Sequence, residues 1–439
     1  MTARWRNWAG NQTAQPRRVA RPRTTAEVAE VISQAASEGE RVKAMGSGHS
    51  FTPIAATDGV LVDLSLLSGV SSADHGTGRV WVRGGTPLHV LNRELAERGL
   101  SMSNLGDIDR QTITGAVATA THGTGARLGG LASQVSAIEI VLADGSIVTC
   151  DRETEPELFD AARVGLGALG VITAVELRCE PEYALSARER PLPLPWVLDR
   201  IQDLADENDH FEFYWFPYTD VALTKINNRL PGGAARSPLS PVKAWLDDDF
   251  LANTVLGSAL RLPRRWPSIT PQFTRFASRL LSAREYSDTA HKVFCSPRRF
   301  KFVEAEYTIP REAVAEGISR VRAILDSGRH LISMPIEVRF AAADDIPLST
   351  ASGRDSAYIA VHVFEGQPHQ AYFAEVEDAL ADLGARPHWG KLHGFAADDL
   401  RRAYPRFDDF LDVRRKVDPE GRFGNAYLDR VLGPARTAA

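Results

Sequence analysis

The chain has 439 residues, 44% hydrophobic and 24% charged, which is ordinary for a globular protein and too long for one core of usual size, so two domains or lobes are expected. A formal net charge of −5 argues against a general nucleic-acid binder. The three cysteines, Cys150, Cys179 and Cys295, are odd in number and widely spaced, supplying neither a zinc ligand set nor a disulfide framework, and no metal is expected.

The N-terminal stretch through Trp5-Arg6-Asn7-Trp8 carries positive charge but no apolar h-region. No later run approaches the roughly 20 apolar residues of a membrane span, and a reducing, cytoplasmic setting is expected. Thr24-Thr25-Ala26-Glu27 reads as a capping box, after which Val28, Val31, Ile32 and Ala35 recur at helical spacing until Gly39. Residues 41–45 alternate as a short strand that runs into Gly46-Ser47-Gly48-His49-Ser50. Glycines there let backbone N–H groups close on a phosphate, and a histidine follows at once. The third glycine of a dinucleotide fingerprint would fall at Phe51, with no helical pattern after it, so the loop is not that motif.

Strands are expected over 59–64 and 79–83, then a helix carrying Leu88, Leu91 and Leu95. Residues 104–125 are small, hydroxylated and glycine-rich without an amphipathic period. They fit either a large flat ligand lying against backbone, with Thr112, Thr114, Thr119 and Thr121 offering hydroxyls, or a tightly packed small-residue core. Ile138–Leu142 and Ile147–Thr149 flank an Asp144-Gly145 turn as a hairpin, and Gly165–Gly170 forms a second glycine-rich turn feeding a strand through Leu177.

Past Pro181 the texture changes to Pro191, Pro193, Pro195 and an aromatic strand over 211–216. Residues 235–284 hold eight Lys or Arg against three Asp, mixed with Trp245, Leu262 and Trp266, a pattern open to two readings, a solvated connection or a patch for peripheral membrane contact. Pro335–Phe340 alternates as a strand, with Glu337 and Arg339 on one face and Ile336, Val338 and Phe340 on the other. His388, Trp389 and Lys391 fall together beside Pro387 and Gly390, in loop geometry where binding residues concentrate. His362, alone on the 357–364 strand, is expected to be packed.

Taken together, Trp5-Arg6-Asn7-Trp8, Gly46–Ser50, Ser103-Asn104-Leu105-Gly106, Thr121–Gly125, Phe159–Arg163, Gly167–Gly170, Glu337–Phe340, Arg386–Trp389 and Asp418-Pro419 resemble the L-gulono- and D-arabinono-1,4-lactone oxidase group of the vanillyl-alcohol-oxidase flavoproteins, which share an FAD domain of the PCMH type. The N-terminal motifs are common to many FAD oxidoreductases of that fold, whereas Glu337-Val338-Arg339 with His388–Lys391 is the specific part. The resemblance implies an α+β architecture: a two-lobed FAD domain over 1–180 and a cap domain with a large antiparallel sheet over 181–439, with about 410–439 returning to the FAD domain. It implies that Gly46, Ser47, Gly48, His49 and Ser50 bind FAD, with His49 bonded to the flavin 8α-methyl. Gly106, Asp107, Thr112, Gly115, Thr119, His122, Gly125 and Ile172 would line the cofactor, while Glu337, Arg339 and Lys391 would hold substrate oxygens, with His388 a candidate base.

The implied activity is oxidation of an aldonolactone at a secondary alcohol by hydride transfer to flavin, with electrons passed to molecular oxygen or another acceptor. An alditol oxidase acting on a primary alcohol through the same Glu337, Arg339 and Lys391 is the alternative, as is a lactone dehydrogenase using a cytochrome or quinone. Gly106 matches a position where related dehydrogenases carry alanine, so its missing methyl implies an open path for oxygen, while Asp107 departs from the serine of some relatives.

Overall fold

The computed structural model describes residues 4–240, 256–296 and 299–435. Trp245 of the basic stretch lies outside them. The first layer is a three-stranded parallel sheet in the order Arg18–Ala20, Val60–Asp63, Val42–Met45. A parallel pair needs a crossover, and the helix Thr25–Ser37 supplies it. Thr24 caps that helix by accepting the Glu27 N–H, and Gly39 ends it in a left-handed conformation at φ +67°. The expected capping box is only half made, because Glu27 accepts from the Arg23 N–H instead of the cap residue's own. Val28, Ile32 and Ala35 pack on Val42, Val60 and Val62, and Phe423 from the far end of the chain completes that core.

A five-stranded antiparallel sheet forms the second lobe, ordered Ile147–Asp151, Val135–Val141, Val171–Arg178, Arg79–Arg83, Val70–Asp74. The expected hairpin turns at Gly145, φ +85°. Residues 104–125 are not uniformly irregular: Ile113–Ala118 is a short helix with Ile113, Ala116 and Val117 buried. Its small residues are there because helix and backbone approach closely, which is why no amphipathic stripe shows.

The third layer is an eight-stranded antiparallel sheet. Its order is Arg284–Thr289, Ala184–Pro193, Val221–Arg229, His210–Trp215, Ile336–Ala341, Ser356–Phe364, Phe302–Pro310 and Arg386–Pro387. One face, carrying Phe211, Phe213, Val338, Ile359, Val361, Ala305 and Tyr307, packs against helices Val314–Asp326 and Gln370–Ala381. Strand alternation therefore aims Glu212, Tyr214, Glu337, Arg339, His362, Glu304 and Glu306 at the opposite face.

The lobes interlock through backbone. Gly125 donates its N–H to Phe340 O at 2.9 Å and Ala342 to Leu128 O at 3.0 Å. The second lobe's core also takes in Ile346, Leu348, Trp389, Leu400, Tyr404, Phe407, Phe410 and Leu428, so segments ahead of residue 410 pack on it as well. Among the described residues no helix is long and apolar enough to cross a membrane.

Candidate active site

Between the two small lobes runs an elongated cavity of about 120 Å³. Met45 to Ser50 form one wall; Thr112, Thr114, Gly115 and Thr119 form the second, and Gly165–Gly170 with Ile140 and Ile172 the third. Gly48 sits at φ +69°, a conformation costly for a side chain. A Cβ on Gly46 would run into Thr112 Oγ1, which is buried without any hydrogen-bond partner. A buried hydroxyl without a partner, in a wall with no room for side chains, fits a polar ligand there.

Lys43 reaches this region from the strand before the loop. Its buried ammonium donates to Gly167 O at 3.0 Å and Phe423 O at 3.2 Å, and burial pushes its pKa down to about 7. It ties the loop strand, the Gly165–Gly170 turn and the C-terminal segment together.

The elongated cavity meets a larger one of about 650 Å³ at His49, Ser50, Gln111 and Thr119. His49 stacks on Trp8 with ring centroids 5.4 Å apart. Burial first, then the nearby Lys391 and Arg110 charges, push its pKa down to about 4, so its imidazole is neutral.

Across the larger cavity the sheet presents a belt of charges. Arg284 donates to Glu189 at 2.7 Å, Glu189 faces Lys225 in register, and Lys225 donates to Glu212 at 2.6 Å. Arg339 donates from Nε to Glu212 Oε2 at 2.8 Å, pairs through Nη2 with Glu337, and stands 3.4 Å from Asp107 Oδ1. Tyr214 donates to Glu337 Oε1 at 3.0 Å. His362 Nε2 lies 3.6 Å from Glu304 and 3.7 Å from Glu337, and Lys391 donates to Glu304 Oε2 at 2.5 Å.

These charges set one another. Burial raises the Glu212 carboxyl, but Lys225 and Arg339 outweigh it and hold it down at about 2. Glu337 goes the other way: burial raises its proton affinity, and Asp107 and Glu212 add to that against the pull of Arg339. Burial lowers Lys391, yet Glu304 and Glu306 keep its affinity above the usual lysine value.

His122 stacks on Tyr358 with centroids 3.5 Å apart, its Nδ1 2.8 Å from Gly123 O and its Nε2 3.0 Å from Glu306 Oε1. His388 accepts the Gly390 N–H at Nδ1, 3.1 Å away, and burial pushes its pKa down to about 3 against the pull of Glu306. Ligand atoms of His122, Glu306 and His388 lie within 4.8 Å of one another, but His122 already uses both ring nitrogens and His388 uses Nδ1.

Of the residues expected around a cofactor, Gly46, Ser47, Gly48, His49, Ser50, Thr112, Gly115, Thr119 and Ile172 line the elongated cavity. Gly106, Asp107 and His122 line the larger one instead, with Asp107 and His122 committed to Arg339 and Glu306. Gly125 lines neither: its N–H is spent on Phe340 O and its φ of +144° serves that interlock. Glu337, Arg339, His388 and Lys391 all line the larger cavity, whereas Trp389 is a buried strut donating to Leu348 O. Both faces of the Ile336–Ala341 strand are buried, so its ion pair is shielded from water. His362 is more than packed, standing between two glutamates. Sequence reading missed Glu189, Glu212, Tyr214, Lys225, Glu304 and Glu306. Their signal was a carboxylate alternating with apolar residues, as in Phe211-Glu212-Phe213 and Val303-Glu304-Ala305-Glu306-Tyr307, which places the charge on one strand face.

Residues 16–151 match the FAD binding domain family. With the loop, the orphan hydroxyl and the joined cavities, that match makes this an FAD-dependent oxidoreductase. Residues 175–431 match the family described as D-arabinono-1,4-lactone oxidase, and the chain belongs to it. It is 44% identical to an L-gulono-1,4-lactone dehydrogenase of Mycobacterium tuberculosis, covering 99% of this chain and 100% of that one. An L-gulonolactone oxidase of Mus musculus is 33% identical, with 98% of each chain covered. In fold the chain is similar to cholesterol oxidase from B. sterolicum, at a TM-score of 0.81 and 17% identity over 98% of this chain and 97% of that one.

Proposed function

We propose that the protein oxidises an aldono-1,4-lactone, L-gulono- or a closely related sugar lactone, at a ring secondary alcohol. The observation that carries this is the junction at His49, where the loop-and-hydroxyl cavity opens onto the charge belt of Glu337, Arg339 and Lys391. Bound FAD supplies the two-electron sink for the hydride leaving the alcohol carbon. Gly46 to Ser50 hold it by backbone, with Thr112 Oγ1 donating or accepting from the facing wall. His49, neutral and beside that wall, is the residue we assign to a covalent link with the 8α-methyl of FAD. A neutral imidazole keeps a lone pair for the new N–C bond, the methyl group would give up a proton, and the two electrons left on the cofactor would pass to the acceptor that also serves turnover.

On the substrate side Glu337 takes the hydroxyl proton, since burial raises its affinity for one. Arg339 and Lys391, held by carboxylates on fixed strands, donate to the lactone oxygens and stabilise the developing negative charge. His388, with Nδ1 occupied, donates from Nε2 and does not serve as base. Residues 1–180 together with the returning C-terminal segment would form the FAD domain and the rest of 181–439 the substrate-side domain. Gly106, on the larger cavity, would border the path by which molecular oxygen takes the electrons. Three free thiols are consistent with a cytoplasmic setting.

An alditol would use the same Glu337, Arg339 and Lys391, so the test is a pair of substrates. Under anaerobic conditions L-gulono-1,4-lactone, or another aldonolactone of a small panel, should bleach the flavin absorbance while xylitol leaves it unchanged. Bleaching by xylitol alone would overturn the lactone reading.

A further inference from the structure

The charges on the cavity face of the eight-stranded sheet form one ordered row. Read across five adjacent strands from the sheet's edge, they are Arg284, Glu189, Lys225, Glu212 and Arg339, and their signs alternate at every step. Arg284 grips Glu189 with both arms of its fork, Nε to Oε2 at 2.7 Å and Nη2 to Oε1 at 2.9 Å. Glu189 stands directly opposite Lys225, where cross-strand side chains interact. Lys225 donates to Glu212 Oε1 at 2.6 Å, and Glu212 accepts from Arg339 Nε through its other oxygen at 2.8 Å. Arg339 Nη2 then pairs with Glu337. Water is shed along the way: the Arg284 side chain is 21% exposed, Lys225 14% and Arg339 9%.

We propose that Arg284, Glu189, Lys225 and Glu212 are positioning residues, which hold Arg339 against Glu337 and so control how readily Glu337 takes the substrate's proton. This rests on the reading of Glu337 as the base. One guanidinium serves three carboxylates, Glu212, Glu337 and Asp107, and Lys225 is what shares Glu212. How firmly Arg339 serves Glu337 therefore depends on Lys225, and through it on Glu189 and Arg284. In a site shielded from water a change at one member is felt at the next. The other groups facing Glu337 are Tyr214 and Glu212 from one neighbouring strand, His362 from the other, Asp107 from its loop, and Lys391. Glu304 stands behind His362. Substitutions at Arg284, Glu189 or Lys225 leave all of these side chains in place.

The pH profile of kcat/KM for the FAD-loaded protein on an aldonolactone tests this, because its acid limb reports the free enzyme's base. Lys225→Met removes a positive charge, so Glu337 holds its proton more tightly and the limb should move up by on the order of half to one pH unit. Glu189→Gln removes a negative charge one step further out and should move the limb down. Arg284→Gln should move it up again, by less, since that end is nearest to water. Lys225→Arg should restore the native limb. A packing role would lower folded yield, flavin content or melting temperature, but would not give shifts that reverse sign along the row. A limb that is unmoved, or moves the same way in Lys225→Met and Glu189→Gln, would overturn the proposal, as would a rise in KM alone or a failed rescue by Lys225→Arg. If Lys225→Met does not fold, Glu189→Gln and Arg284→Gln decide by the same opposed shifts. Glu337→Gln separates this proposal from the reading beneath it. Loss of the limb there, with no shift in the other variants, refutes the row and keeps the base, whereas a limb that survives refutes both.

Discussion

The elongated cavity and the charge belt meet at His49 yet are built on opposite principles. The cavity is made largely of backbone and small hydroxyls from three contiguous stretches, 44–50, 111–119 and 165–172, with Lys43 the one buried cation along it. The belt is made of side chains that converge from segments scattered between Asp107 and Lys391, nearly every charge already matched by a neighbour. Backbone holds a cofactor by shape and tolerates change in nearby side chains. A matched belt works only as a set, because removing one member leaves its partners buried and unpaired. Changes to the first region should therefore cost cofactor retention, and changes to the second should cost turnover with the flavin still in place.

The largest effect is expected at Arg339, where that contrast is sharpest. Its fork joins Glu212 through Nε and Glu337 and Asp107 through Nη2. Arg339→Lys keeps the charge but has one ammonium for three carboxylates. Flavin content should stay full while turnover falls on the order of a hundredfold or more, the scale of one lost preorganised stabiliser. Arg339→Ala should in addition lose about 3–5 kcal/mol of stability from the stranded carboxylates. Absorbance at the flavin band, steady-state rates and thermal melts read the three quantities separately. Ordinary kinetics in Arg339→Lys would move the chemistry away from the belt.

The same contrast explains what could be read from sequence. Gly46–Ser50 and 104–125 were legible because a backbone-built site leaves contiguous glycines and threonines in the chain. Glu337 and Arg339 were legible as a strand pair two residues apart. Glu212, Lys225, Glu304 and Glu306 were not, since each is one charge in an otherwise apolar strand and its meaning lies in cross-strand register, such as Glu212 opposite Lys225. His362 was misjudged for that reason: its neighbours Glu304 and Glu337 come from two other strands. Gly125 was misplaced because a glycine needed for an interlock and one needed for a ligand look alike in a sequence.

A smaller effect, and one that tests the other region, is expected from His49→Ala. The loop and the facing Thr112 wall remain, so FAD should still bind but should come off: acid precipitation should leave a yellow supernatant for the variant and a yellow pellet for the native protein. A colourless native pellet would remove the covalent bond from the account. The sign of the pH dependence follows from burial. His49 stays neutral until pH falls to about 4, so attachment of FAD to apoprotein should proceed at an even rate from neutrality to mildly acid pH and fail as pH drops through that value, well below where a solvent-exposed histidine would have lost its lone pair.

The smallest change is a methyl group on Gly106, and it asks whether the boundary between the two regions also decides where electrons go. The M. tuberculosis relative is named a dehydrogenase and the mouse one an oxidase, so relatives that match nearly the whole chain carry names of both kinds. Gly106 lines the larger cavity, and its φ is not in the left-handed region, which removes the objection that alanine would misfold the turn. An added Cβ would meet His122 O at 3.2 Å and Thr121 Cγ2 at 3.7 Å, a tight fit that a shift of a few tenths of an ångström relieves. Gly106→Ala should accordingly bind FAD and reduce a dye with the lactone at close to the native rate, while peroxide formation falls several-fold because the methyl narrows the approach to the flavin. Equal loss of both activities would make Gly106 a packing residue. Native protein that forms no peroxide at all would mean that the oxygen path is closed elsewhere and that a larger acceptor takes the electrons.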